Sequence, residues 1–97
     1  MIKIIKVTGS SLSPFFNPGD FVLTWRAPRQ FRKLIPGDTV VFDHSVYGRM
    51  IKKVTLNNPA ERTLAVRGSH PDSLPAQKIG LVPYQNIIGK VFYRIRR

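Results

Sequence analysis

The stretch that decides the fold is Asp38-Thr39-Val40-Val41-Phe42-Asp43-His44-Ser45-Val46-Tyr47-Gly48-Arg49-Met50-Ile51-Lys52-Lys53-Val54-Thr55-Leu56. Asp38–Asp43 carries an unbroken apolar run, Val40 to Phe42, the pattern of a strand covered on both faces. His44-Ser45-Val46 is a short connection. Tyr47–Leu56 then reads as a second strand. Successive side chains of a strand point to opposite faces. Met50, Lys52 and Val54 therefore share one face, and Ile51, Lys53 and Thr55 share the other. No apolar spacing of 3.6 residues runs through either segment.

Outward from this pair, Ile2–Thr8, Asp20–Arg26, Arg62–Arg67 and Ile87–Ile95 read as further strands, with Gly89 as a candidate bulge. Ala27–Pro36 reads as a basic loop and Asn57-Asn58-Pro59 as a turn. Gly68–Gly80 reads as a loop in which Pro71 and Pro75 exclude a central strand. No internal repeat, low-complexity segment or linker interrupts the chain. The expectation is one domain, residues 1–97, of compact all-β architecture built from short strands.

Composition bounds the function. The 97 residues suffice for one thin core, and 42% hydrophobic content favours a packed globule over disorder. Cysteine is absent, which excludes disulfides, thiolate metal sites and a cysteine nucleophile. The two histidines, His44 and His70, are too few for a histidine metal cluster, so no metal or cofactor is expected. No apolar run approaches the roughly 20 residues of a spanning helix. Sixteen Lys and Arg against five Asp and Glu give a net charge of +11. Such a field attracts nucleic acid, anionic lipid or acidic protein without choosing among them.

Two features suggest chemistry. The first is Lys52, which alternation carries inward with Met50 and Val54. Burial disfavours the ammonium and lowers its pKa from about 10.4, so a buried lysine can serve as a general base. The alternative is a lysine that snorkels past its apolar neighbours into solvent. The second feature is Val7-Thr8-Gly9-Ser10-Ser11-Leu12-Ser13-Pro14-Phe15-Phe16-Asn17-Pro18-Gly19-Asp20. Three serines within four residues follow a glycine, Pro14 stiffens the exit, and Asn-Pro-Gly-Asp closes it with turn chemistry. This is either an ordinary serine-rich loop or a constrained turn presenting a nucleophile. With both histidines in polar connections and no acid in a triad order, serine plus lysine suggests a Ser–Lys dyad.

These residues resemble the signal peptidase I family of serine proteases, in four blocks in the family's order. Ser11-Leu12-Ser13-Pro14, followed by Pro18-Gly19-Asp20-Phe21-Val22, is similar to its Ser-Met-x-Pro box and Pro-Gly-Asp. Gly37-Asp38-Thr39-Val40-Val41-Phe42 is similar to its Gly-Asp-x-Val-Val-Phe block. Met50-Ile51-Lys52-Lys53-Val54 resembles its lysine block, and Ile87-Ile88-Gly89-Lys90-Val91 its closing block. Leu12 replaces the usual Met. The family's Asp-Ser-Arg, which helps orient the lysine, appears as Pro75-Ala76-Gln77.

The resemblance implies a signal-peptidase/LexA-like fold, a partly open barrel, with Ser11 as nucleophile and Lys52 as general base. It implies that the Ser11 backbone N–H contributes to an oxyanion hole. Gly9, Ser10, Leu12, Ser13 and Lys53 are the neighbouring oxyanion and substrate-binding candidates; Gly9 stands where some members carry a hydroxyl donor. The expected partner is a precursor protein with an N-terminal leader. The short, anchorless form is similar to nickel-type superoxide dismutase maturation peptidases. It implies a cytoplasmic enzyme, with peripheral contact to anionic membrane, and no specific nucleic acid. Three alternatives stand beside it. One is the self-cleaving domain of SOS-response repressors, for which neither a DNA-binding region nor an Ala-Gly or Cys-Gly dipeptide is found. Another is a catalytically inactive scaffold. The third is a small basic barrel binding nucleic acid through Trp25, Phe31, Tyr47, Tyr84 and Tyr93, side chains otherwise expected to pack in the core.

Overall fold

The computed structural model describes residues 1–7, 18–68 and 75–96. Seven strands form one antiparallel sheet: β1 (Ile2–Lys6), β2 (Phe21–Trp25), β3 (Thr39–His44), β4 (Gly48–Asn58), β5 (Thr63–Arg67), β6 (Val82–Pro83) and β7 (Ile87–Ile95). Their order across the sheet is β1-β2-β7-β3-β4-β5-β6. One short helix, α1 (Ala76–Ile79), and two 3₁₀ turns, Pro28–Lys33 and Tyr84–Asn86, complete the described chain. The all-β expectation holds. The sheet ends at β1 and β6, which do not pair with each other, so it is not closed into a barrel.

β3 and β4 lie at the centre of the sheet. β3 and β4 run in register from Thr39 opposite Lys53 to His44 opposite Gly48. Gly48, at φ 76°, takes the left-handed conformation that returns the chain into β4. Because β3 is covered on both faces, the sheet supports two cores. Val40 and Phe42 join Val54, Leu64, Val66 and Ile87 on one face, closed over by Phe31 and Leu34 and by Ile79 of α1. Val41 joins Val7, Val22, Ile51 and Ile88 on the other.

Several local readings are corrected. Asn57 and Asn58 belong to β4, and the turn falls at Pro59–Arg62. Pro59 lacks the N–H a ladder needs, and Arg62 turns the chain at φ 55°. Within Ala27–Pro36, Pro28 presets the first φ of a 3₁₀ turn that buries Phe31, with Leu34 just beyond it. Within Gly68–Gly80, Pro75 precedes α1, whose single turn is too short for any periodicity; Gly80 follows it at φ 72°. The two-residue β6 was not anticipated. It carries a proline and survives as an outer strand. The extra residue of the bulge between β3 and β7 is Ile88, beside Gly89 rather than at it. Gly89 answers a different need: a Cβ there would sit 3.0 Å from the Thr24 Cβ and 3.1 Å from the Trp25 carbonyl oxygen. Of the aromatics expected in the core, Phe31 is buried and Tyr84 half-buried, whereas Trp25, Tyr47 and Tyr93 are exposed. Trp25 and Tyr93 lie on β2 and β7, and Tyr47 lies in the β3–β4 turn with its ring tilted against His44 at 4.9 Å.

Candidate active site

The lysine goes inward. Lys52 is 1% exposed, as deeply buried as the apolar residues around it. Its place follows from the ladder. Lys52 lies opposite Val40, two residues from Val54 on the same face, and Val40 and Val54 both belong to the larger core. Snorkelling, the alternative reading, requires an outer rim, and the centre of β4 offers none. Burial alone pushes the Lys52 ammonium below its ordinary value of 10.5, because removing water penalises the charged form. Among the described residues no neighbouring charge contributes to that shift. A lysine with this history holds a neutral amine at lower pH than a surface lysine, and a neutral amine accepts a proton.

Lys53, the adjacent candidate, is half-buried on the opposite face, across from Thr39 and Arg67. Alternation thus separates the two lysines, and only Lys52 is placed in the larger core.

Ser11, with Gly9, Ser10, Leu12 and Ser13, lies outside the described residues. The ends of its segment are described, and they meet. The Val7 N–H donates to the Asp20 carbonyl at 2.7 Å, and the Gly19 N–H donates to the Val7 carbonyl at 3.0 Å. Gly19, at φ 92°, supplies the positive φ that this return requires. The described residues on either side of the serine segment are therefore held together at the ends of β1 and β2. Val7 is buried in the same core as Ile51, the residue before Lys52. That is as near as the described residues bring the two halves of the dyad. Because Ile51 and Lys52 face opposite ways, the pairing of Ser11 with Lys52 rests on the sequence resemblance. Asp20 in this pairing is buried, 4% exposed. In the sequence Asp20 closes the Asn-Pro-Gly-Asp turn and starts a strand, and neither reading foretells its burial. A carboxylate directly after Pro-Gly was the available signal.

His44 is occupied structurally. Its Nδ1 accepts the N–H groups of Val46 and Tyr47 at 3.0 and 3.2 Å. The other nitrogen, Nε2, must then carry the proton it donates to the Ile79 carbonyl at 2.9 Å. Both ring nitrogens serve the β3–β4 connection and the end of α1, so His44 is not available as a catalytic base. His70 lies outside the described residues. Among the described residues, no group of three or more His, Cys, Asp or Glu comes together, and no helix is long and apolar enough to cross a membrane.

No protein-family model, curated protein or solved structure matches this chain.

Proposed function

We propose that the chain is a serine endopeptidase in which Lys52 activates Ser11 to remove an N-terminal leader from a precursor protein. The observation that carries this reading is the lysine in the core: a cation 1% exposed whose proton affinity is lowered by desolvation alone. Burying a charge is costly, and a base is a role that gives such a residue a use. Neutral Lys52 takes the hydroxyl proton of Ser11 as the oxygen attacks the scissile carbonyl. The ammonium then returns that proton to the leaving amine, and an acyl-enzyme remains on Ser11. Lys52, again neutral, takes a proton from the attacking water and returns it to the Ser11 oxygen as the C–O bond of the acyl-enzyme breaks, releasing the acid and restoring both residues. An extended substrate can add a strand alongside β1, an outer strand of the sheet that precedes the serine segment in sequence.

The precursor of a nickel superoxide dismutase is the candidate substrate, on the resemblance to the anchorless branch. Purified protein would be incubated with that precursor and with a secretory precursor, and the new N-termini sequenced. Cleavage of the former is expected. Ser11→Ala and Lys52→Ala should each lower the rate at least about 100-fold, and Lys53→Ala by less than about threefold. Full activity in Ser11→Ala with loss in Ser13→Ala would move the nucleophile. Cleavage of neither precursor by folded protein would favour an inactive scaffold.

A second reading has its own support. Trp25 and Tyr93, 54% and 60% exposed on a chain of charge +11, can stack bases of single-stranded nucleic acid. Salt-dependent retention on an oligonucleotide, unchanged by Ser11→Ala, would favour it.

A further inference from the structure

Four arginines line one open groove of about 1080 Å³ at the end of the molecule where β4 turns into β5. Arg29 and Arg32 come from the 3₁₀ turn, Arg26 from just before it, and Arg62 from the β4–β5 turn. The placement follows from 3₁₀ geometry. With three residues per turn, side chains at i and i+3 stack. Phe31 and Leu34 form the ridge that enters the core, and Arg29 and Arg32 form the ridge that faces the groove.

The groove's charge is not neutralised from within. Its one acid is Glu61. Arg49 pairs with Asp43 and Lys90 with Asp38, and neither pair involves any of the four arginines. Arg62 is also the one non-glycine among the described residues with positive φ, 55°. Residues with a Cβ seldom adopt this conformation. It persists because the Arg62 carbonyl accepts the Tyr84 N–H at 2.9 Å.

The walls are fixed before any ligand arrives. Asn57 Nδ2 donates to the carbonyls of Phe31 and Leu34, both at 2.9 Å, and the Tyr84 hydroxyl donates to Asn57 Oδ1. One asparagine thus ties together the 3₁₀ turn, β4 and the segment after β6. Its aromatic residues offer no stacking platform. Phe31 is buried, and the half-buried Tyr84 meets it edge to face at 5.9 Å with its hydroxyl already engaged. Guanidinium forks without a base-stacking face suit carboxylates on an extended chain better than a single-stranded nucleic acid.

We propose that this groove docks an acidic, Asp/Glu-rich segment of the protein substrate, and so selects precursors that carry one. The word substrate rests on the peptidase reading; the binding itself does not. From Lys52 to the turn at Pro59 is seven residues of strand, roughly 23 Å at 3.3 Å per residue, so docking and cleavage use separate places on one chain.

Binding is measured by fluorescence anisotropy at about 150 mM salt, with a labelled twelve-residue Glu/Asp peptide, its Gln/Asn counterpart and a dT12 oligonucleotide. Arg29→Gln/Arg32→Gln is compared with Lys78→Gln/Arg96→Gln, which removes the same charge from exposed positions elsewhere. The acidic peptide should bind, its neutral counterpart should not, and the groove variant should weaken binding at least tenfold while the control changes less than threefold. No binding of the acidic peptide, equal loss in both variants, or tighter binding of dT12 that depends on Arg29 and Arg32 overturns the proposal. If wild type cleaves a precursor with an acidic segment, the groove variant should raise KM and leave kcat unchanged. An unchanged KM would overturn selection by the groove. Absence of cleavage would overturn the peptidase reading, while anisotropy still decides the groove.

Discussion

At the scale of the residue, Lys52 exposes a conflict between stability and use. The unfolded chain holds the Lys52 proton up to about pH 10.5, whereas the folded protein releases it at lower pH. Between those two values the unfolded state binds more protons, so stability rises with pH across that window. Below the lowered value both states are protonated, and the folded state carries the full penalty of a buried cation. Lys52→Met keeps the length and removes the charge. We expect it to stabilise the protein near neutral pH by about 1 kcal/mol or more, roughly 4–8 °C in Tm for a domain of this size. The advantage should shrink as pH approaches 10.5. Thermal melts of both proteins across pH check this. A variant less stable than wild type at neutral pH would mean that the ammonium has a partner that stabilises it.

At the scale of the element, the close approach of β7 to β2 depends on Gly89. An added methyl would meet Thr24, fully buried and stiff at χ1, and a backbone carbonyl, neither of which yields easily. Gly89→Ala should destabilise by about 1–3 kcal/mol, seen as a lower midpoint in urea with an unchanged slope. An unchanged midpoint would show that the strands can separate slightly at no cost. Much at this scale was legible in advance. The strands beginning at Ile2, Phe21, Thr39, Gly48, Thr63 and Ile87 announce themselves through β-branched and aromatic runs between Pro and Gly. Period two put Lys52 on the face of Met50 and Val54 but left a snorkelling side chain open, and only its burial at the centre of β4 decides between them. What stayed hidden has physical reasons. α1 is one turn and β6 two residues, too short for a period to show. Asn57 looks like a turn residue until its amide is seen holding the Phe31 and Leu34 carbonyls. The arginine groove joins residues near position 29 to Arg62, a nearness that only the sheet order creates. Ser11, the other half of the candidate site, lies outside the described residues and was legible only through resemblance.

At the scale of the whole molecule, charge and surface act together. A net charge of +11 predicts adsorption to anionic vesicles that weakens as salt rises. Flotation at low and high salt measures it. Retention at high salt would assign the binding instead to the apolar face of β1, β2 and β7, where Ile2 and Ile4 lie opposite Trp25 and Leu23. Lys52, buried at the centre of β4, is the observation on which the proposed chemistry rests. The most direct test of that chemistry is the rate of precursor cleavage as a function of pH, in wild type and in Ser11→Ala. Because the neutral amine is the working form, the wild-type rate should climb as pH rises through the lowered Lys52 pKa and level off above it, with Ser11→Ala inactive throughout. A rate that falls over that range while the protein remains folded, or cleavage that survives Ser11→Ala, would contradict the Ser–Lys dyad.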